Sequence, residues 1–600
     1  IGGSVTMNIK GGTMLGSIYG GGRLGSVGYG LYLVDEVVGE EKPYGVLRPD
    51  GVDDNGNPVE GFKRGYITIN ISGGTIGNEH EYKYYASDVE LTSDMKTAAN
   101  IPNTTFDYQN HLLYTKGGNV FTGCMGRLYA LDGSTLLPLW PKLGKCKQTV
   151  LNITGGTIKS SVYGGGEIGV VQQNTTVNVT GGTVGTKVVD SEDETKYYYF
   201  GSVFGGGKGS TDAISYPAGT AEADKVDISE AGTVGGNVLV ELNKGVAEDK
   251  PGGIVNQVFG CNDMNGSPKG MVDVHIYATQ TVGTSDISTK LGKELGKYDV
   301  QAVYGGGNLA AYNPTDLTAG KAKVTIDGCG LSSIKQVYGG GNAASTPATE
   351  VTVNGTYEID ELFGGGNGAD KLPSGSDNPG ANVGFRAYLD NVEGKTDTPE
   401  NRAANYGYGS GKAAVHVFGG TIHRVFGGSN TKGNVRQSAI TLLEEAGSCE
   451  FCVDEAYGGG KSAPMDAEAK LLMACIPGLK EVYGGAQAAD VYDDVTVTVT
   501  NGNFDRVFGG NNLSGTIRGK ITVNVEETGC RPVIIGELYG GGNQAGYSVY
   551  GYNADGSMIE SGETPLYQDP QVNVRSFTSI GNIKLRSEER RVRQECRSRW

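Results

Sequence analysis

The chain has 600 residues, 101 of them glycine, with a hydrophobic fraction of 37% and a net charge of −17. Glycine at that level without a Gly-X-Y period excludes collagen. The acidic balance excludes a general nucleic-acid binder, which needs a basic footprint to displace counterions, and no apolar run reaches the ~20 residues of a membrane span.

From the N-terminus, one set of phrases recurs. TMNI at 6–9 is followed by a GGT turn at 11–13 and by IYGGG at 18–22. ITINI at 67–71 with GGT at 73–75 comes next, then LNI at 151–153, GGT at 155–157 and VYGGG at 162–166. VNV at 177–179 leads to GGT at 181–183 and VFGGG at 203–207, and VFG stands at 258–260. VYGGG returns at 303–307 and 337–341, LFGGG at 362–366, VFGG at 425–428, AYGGG at 456–460, VYGG at 482–485, VFGG at 507–510 and LYGGG at 538–542. The preceding strand phrase recurs as VTI at 324–326, VTV at 351–353 and ITVNV at 521–525, and a further GGT stands at 419–421. Such self-similarity fixes the architecture, because each unit buries its apolar face only by stacking on the next.

The unit at 495–512, VTVTVTNGNFDRVFGGNN, shows the physics. Val495, Val497 and Val499 alternate with threonines, the period of a strand with one apolar face. Asn501-Gly502 supplies a turn, a second strand follows over 505–508, and Gly509-Gly510 lets the backbone bend again. Tyr457 to Tyr483 is 26 residues and Tyr483 to Phe508 is 25. That period suits one coil of two or three strands, whereas a propeller blade needs about 40–45 residues and four strands. The expected fold is all-β, a parallel β-solenoid (β-helix) wound from a single chain, with coils of about 25 residues. It runs over 1–583 as one domain, with insertions at 23–65, 78–116, 186–200, 208–230, 367–412, 461–477 and 544–567. The segment 584–600, KLRSEERRVRQECRSRW, loses the repeat and reads as a basic, non-native read-through tail. The chain opens inside a repeat without an initiator methionine, which reads as a fragment whose targeting sequence is absent.

The aromatics of the phrase, Tyr163, Phe204, Tyr304, Tyr338, Phe363, Phe426, Tyr457, Tyr483, Phe508 and Tyr539, are expected to stack from coil to coil, partly covered. Strand parity turns them outward unless the chain bends there, so their direction stays open. Asn308, Asn342, Asn367, Asn511 and Asn543 follow the glycines and fit a hydrogen-bonded ladder of asparagines in left-handed turns.

Arg424, Glu455, Glu481, Arg506 and Glu537 align one place before the Val-aromatic pair, and His423, Asp454, Lys480 and Asp505 one place earlier. Stacked about 4.8 Å apart, their signs largely alternate, which reads as an ion-pair ladder rather than as catalytic acids. The carboxylate pairs Asp53-Asp54 and Asp493-Asp494 recur with no His or Arg in neighbouring coils, so no catalytic residue is assigned. The metal candidate is Asp370, in a single GGxGxDxUx match beginning at Gly365; one copy leaves half a calcium sphere, and calcium is the only cofactor the chain leaves open. Nine scattered cysteines do not make a disulfide framework, and Cys449-x-x-Cys452 lacks a second pair for zinc. His416 and His423 flank a turn within reach of each other. Outward Thr and Asn, as at Thr6, Asn8, Thr496 and Thr498, suit a solvent-facing strand, and the asparagines spoil the regular lattice an ice- or mineral-binding face needs.

The phrases GGT(I/V/M) and (Y/F)GGGN resemble those of bacterial cell-surface and secreted parallel β-solenoids, the class that includes adhesin and autotransporter passenger domains. Polymorphic outer-membrane passengers carry GGAI and FxxN in the same style. The resemblance implies a non-enzymatic, monomeric rod outside the cell or on its surface, presenting insertion loops to a glycan or a host or surface protein. Tyr82, Tyr84, Tyr85 and the tyrosines 197–199 are the contact aromatics this reading offers. A polysaccharide lyase or hydrolase of β-helix type is the alternative. Acids and bases converging across three neighbouring coils would favour it; axial charge ladders would favour the rod.

Overall fold

A computed structural model describes residues 2–23, 25–28, 49–53, 56–77, 118–126, 129–132, 135–138, 144–189, 197–210, 228–247, 252–279, 298–368, 380–385, 401, 407–445, 449–547, 569–576 and 578–584. They fall into two compact units, Ile1–Gly270 and the chain from Met271 onward. In the first, the strands Val5–Met14, Tyr66–Ile76, Gln148–Ile158, Thr175–Val184 and Val238–Leu242 pair in parallel in chain order as a first sheet. The short strands Ile18–Tyr19, Val120–Phe121, Val162–Tyr163, Val203–Phe204 and Gln257–Phe259 form a second.

The second unit repeats the plan. Val272–Ile276, Ala322–Ile326, Thr349–Val353, Lys412–Val417, Gln437–Leu443, Ala469–Ala474, Val495–Val499, Ile521–Val525 and Gln571–Val574 are successive rungs of its first sheet. Val300–Tyr304, Ser333–Tyr338, Glu358–Phe363, Gly420–Phe426, Phe451–Tyr457, Gly478–Tyr483, Gly502–Phe508, Val533–Tyr539 and Ser579–Lys584 are those of its second. A third side is closed by single parallel bridges, Thr346 to Val383, then Val435, Met465, Val491 and Ile517. Successive repeats thus hydrogen-bond to each other in parallel, one above the next, which is a β-solenoid and not a propeller of antiparallel blades. The second strand of the repeat at 495–512 spans Gly502–Phe508, longer than its sequence signal. Lys584, the first residue of the expected tail, ends a strand; residues 585–600 lie outside the described residues.

The aromatic question resolves inward. Val482 and Tyr483 are both fully buried, as are Val425 and Phe426, because the chain turns a corner at the pair and points both side chains into the core. Ring centroids stack at 4.8 Å for Tyr304–Tyr338, 4.9 Å for Phe363–Phe426, 5.0 Å for Tyr483–Phe508 and 4.5 Å for Phe508–Tyr539. Phe121–Tyr163 at 4.7 Å and Tyr163–Phe204 at 4.9 Å do the same in the first unit. The interval is the strand spacing itself, so each ring lies offset or flat on the next, worth about 0.5–1.5 kcal/mol per pair beyond its area.

Two kinds of glycine serve this coil. The second glycine of the GGT turn is left-handed, with φ of 86° at Gly12, 91° at Gly74 and 86° at Gly156. The glycine after the aromatic is needed for space instead. A Cβ on Gly509 would lie 2.6 Å from the Gly540 carbonyl oxygen, and one on Gly364 2.5 Å from that of Gly427. The expected bend at Gly509 is therefore a close approach of neighbouring coils, with no left-handed φ at that residue. A buried hydroxyl from the first sheet donates to the carbonyl of the same glycine column: Thr149 to Gly164 at 2.7 Å, Thr349 to Gly364 at 2.6 Å and Ser438 to Gly458 at 2.6 Å.

Three expectations are corrected. The asparagines after the glycines do form ladders, Asn342 to Asn308 at 2.9 Å, Asn367 to Asn342 at 2.8 Å and Asn430 to Asn367 at 2.9 Å. They are not left-handed, since Asn243 and Cys475 are the positive-φ non-glycines among the described residues. Asn511 leaves the ladder to Asn512, which accepts from Asn543 at 3.0 Å, because Asn511 turns inward to the Ala486 amide and the Ala489 carbonyl. Disulfides do join coils: Cys329–Cys449 and Cys475–Cys530, with Cα separations of 5.5 and 5.6 Å. All four cysteines stand in turns from a first-sheet to a second-sheet strand, and winding brings together residues 120 and 55 apart in sequence.

Candidate functional site

The second unit carries one continuous charged surface, on the outward positions of its second sheet. Strand register places Glu361 beside Arg424, Arg424 beside Glu455, Glu455 beside Glu481, Glu481 beside Arg506, and Arg506 beside Glu537. These residues face outward because the next two, the Val-aromatic pair, take the core. Glu361 holds the same place before Leu362-Phe363 as Arg424 does before Val425-Phe426, so the sequence pattern reaches one repeat further than the column from Arg424 to Glu537.

Pairing along the column is extensive. Arg424 binds Glu361 at 2.9 Å and Asp360 at 3.5 Å, and Lys461 reaches the same Glu361 oxygen at 2.7 Å. Arg506 pairs with Glu481. Glu455 and Glu481 are like-charged neighbours, and each accepts from the tyrosine two residues on: Tyr457 at 2.8 Å and Tyr483 at 2.5 Å. Glu537 accepts from Tyr539 at 2.5 Å. Burial and then the carboxylate partner push the Tyr457 and Tyr483 phenols up, so both stay protonated donors. The aromatic stack in the core and the acid column on the surface are thereby tied residue by residue.

One place earlier, His423 holds the densest cluster. Its Nε2 lies 2.8 Å from Glu358 Oε1 and its Nδ1 2.7 Å from Asp454 Oδ2, across three neighbouring strands. Lys480 adds a 2.8 Å contact to Asp454, and Tyr298 donates to Glu358 at 3.4 Å. Glu358 is only 1% exposed. Burial alone would pull the His423 imidazole down, but hydrogen bonds to Asp454 and Glu358 outweigh it and hold the pKa above the ordinary histidine value. Burial raises Asp454, and Lys480 with His423 outweigh it and hold that carboxyl low. A protonated imidazole donating to two carboxylates is a clamp, with both ring nitrogens occupied.

The remaining candidates stand apart. His416 lies on the first sheet, where burial lowers its pKa, and it does not meet His423. Asp53 accepts from the Asn57 backbone and side chain at 2.8 and 3.0 Å. Asp493 and Asp494 precede their strand rather than lie in it. Cys449 is disulfide-bonded, which leaves Cys452 exposed as a thiol and removes the CxxC pair. No group of three or more His, Cys, Asp or Glu able to hold a metal occurs among the described residues. Asp370, Tyr82, Tyr84 and Tyr85 lie outside those residues, as do the side chains of Tyr197–Phe200, whose backbone forms an antiparallel pair with Thr186–Val189. Ala381, Val383, Phe385 and Tyr408, inside the expected insertion 367–412, are core residues. No helix among the described residues is long and apolar enough to cross a membrane.

The chain matches no family model, no curated protein and no solved structure.

Proposed function

We propose that the protein is a non-enzymatic structural and adhesive scaffold outside the cell or on its surface, whose insertions contact a glycan or a surface protein. The observation that carries this reading is the pairing of outward polar residues along the coil stack. Glu361, Glu481 and Asp454 are held by cations, and the asparagine rows are held by each other. Such rows fix register, and in them Glu361, Glu481 and Asp454 serve as ion-pair partners, which supports a structural role. The two disulfides support the location, since structural disulfides persist in oxidising compartments.

The test is a glycan and matrix-protein binding screen on the full chain and on a variant in which 387–400 is replaced by a short Gly-Ser linker. That deletion spares the core residues Phe385 and Tyr408. Binding that is lost with the segment supports the scaffold reading; binding that is absent from both chains, for this and the other insertions, counts against it.

Polysaccharide cleavage is the second reading, and the Glu358–His423–Asp454 cluster favours it, because it gathers two acids and a histidine across three neighbouring strands. Turnover of a polymeric uronic acid by the native chain, abolished in His423→Gln, would establish it in place of the first.

A further inference from the structure

Four cysteines of the second unit are bonded, while Cys124 and Cys146 of the first are thiols, both fully buried. In the phrase after each aromatic, the third position is Gly22, Gly166 and Gly207 in neighbouring repeats, and Cys124 takes it here. The surrounding chain makes room for it with glycines: a Cβ on Gly21 would collide with the Cys124 sulfur, and one on Gly169 would lie 2.9 Å from its Cβ. Other repeats place Asn262, Ser429, Ala486 and Asn511 there, so the position accepts a small buried side chain, and in this repeat that side chain is a thiol.

Its sulfur faces the segment that carries the second thiol. Cys124 Sγ lies 3.6 Å from the carbonyl oxygen of Lys145, the residue bonded to Cys146, and Cys146 Sγ lies 3.9 Å from that of Val170. The strand Lys145–Cys146 is fixed by parallel pairing with Val170–Val171, so this approach is set by the sheet. The neighbouring Cys146 thiol lowers the Cys124 pKa against opposing burial, while Cys124 and burial together raise that of Cys146, which marks Cys124 as the nucleophile of the pair.

We propose that Cys124 and Cys146 are a third disulfide site, closed while the chain folds and before burial seals it. The oxidant is a small-molecule or protein disulfide of the compartment. The Cys124 thiolate attacks one sulfur of that disulfide and releases a thiol. The Cys146 thiolate then attacks Cys124 in the mixed disulfide and releases the second thiol; two protein protons leave with the two products, and the oxidant is reduced to two thiols. The link ties off the base of the excursion 124–146, which contains the antiparallel hairpin Tyr129–Asp132 and Thr135–Pro138. The inference rests on the extracellular reading only for the supply of oxidant.

The experiment is a non-reducing peptide map of the full chain exported to an oxidising compartment, unfolded in an alkylating reagent. A peptide joining Cys124 to Cys146 is expected, with Cys261 and Cys452 alkylated. Alkylation of both Cys124 and Cys146 in a chain that carries the Cys329–Cys449 and Cys475–Cys530 links would overturn the proposal and leave the extracellular reading intact. A link from either to Cys261 would overturn it as well. Loss of all links would contradict the extracellular reading instead. The site is then decided by refolding the reduced chain in a glutathione redox buffer, where refolded protein lacking the Cys124–Cys146 peptide rejects it.

Discussion

Each unit has a core of the same plan, and the outer braces differ. In the first, first-sheet strands run to 10 or 11 residues, as in Val5–Met14 and Gln148–Ile158, and most second-sheet strands are two residues long. A two-residue strand is the inward Val-aromatic pair alone and has no outward position, so no charged column forms on it. The polar rungs lie on the long sheet instead, Asn70 to Asn8 at 2.9 Å, Asn152 to Asn70 at 2.8 Å and Asn178 to Asn152 at 2.8 Å. In the second unit the second-sheet strands lengthen to as many as seven residues, as in Gly502–Phe508, and the added outward residues are the ionic column. Strand length on the second sheet thus decides whether an ionic column forms, while asparagine ladders, stacked rings and close-packed glycines occur in both units.

Ways to break the shared part come first. Phe508→Ala and Phe204→Ala each remove a ring from the stack and are expected to cost about 3–5 kcal/mol in their own unit, read by hydrogen exchange strand by strand. A loss confined to one of the two would show that the cores are not equivalent. The braces separate the units next. The pair Cys475→Ser and Cys530→Ser is expected to lower the stability of the second unit by about 2–4 kcal/mol and leave exchange in the first unchanged. Gly458→Val places a side chain against the Gly484 carbonyl and is expected to cost about 1–3 kcal/mol, whereas Gly11→Val meets nothing within 4 Å and is expected to be near neutral in a thermal melt.

Smaller effects probe the column itself. The raised pKa of His423 means its clamp is fully present below the unfolded value, about 6.5, and is lost as pH rises through the folded value. Denaturant midpoints of the second unit should therefore fall from mildly acid toward alkaline pH, and His423→Gln should flatten that slope. At the acid end, the lowered pKa of Asp454 works the other way, its contribution vanishing as pH drops below the usual carboxylate range. Arg506→Gln, at an exposed pair, should change stability by no more than about 1 kcal/mol.

The period-two valines and the ~25-residue interval between aromatics made the solenoid legible, because both are local consequences of one coil. The aromatic direction was not, since parity fails where the chain turns a corner at Tyr483. Asp454 already stood in the column of His423, whereas Glu358 was hidden by the insertion that separates it from His423 by 65 residues, although the two sit on adjacent rungs. The disulfides were hidden for the same reason: spacing along the chain says little once winding resets every neighbour. The hydroxyls of Thr149, Thr349 and Ser438 left a readable mark, a Thr or Ser beginning each inward row, whose role appears only when the glycine carbonyl opposite is seen.

Register-matched spin labels test the stacking most directly. Lys323, Glu350, Ala414, Ala439, Lys470, Thr496 and Thr522 are successive partners on the first sheet of the second unit. At about 4.8 Å per rung, labels at Glu350 and Thr522 should lie ~24 Å apart and labels at Lys323 and Thr522 ~29 Å apart, plus the label tethers. Distances that grow by one strand spacing per coil are what the fold requires. Distances unrelated to the number of intervening coils would contradict it.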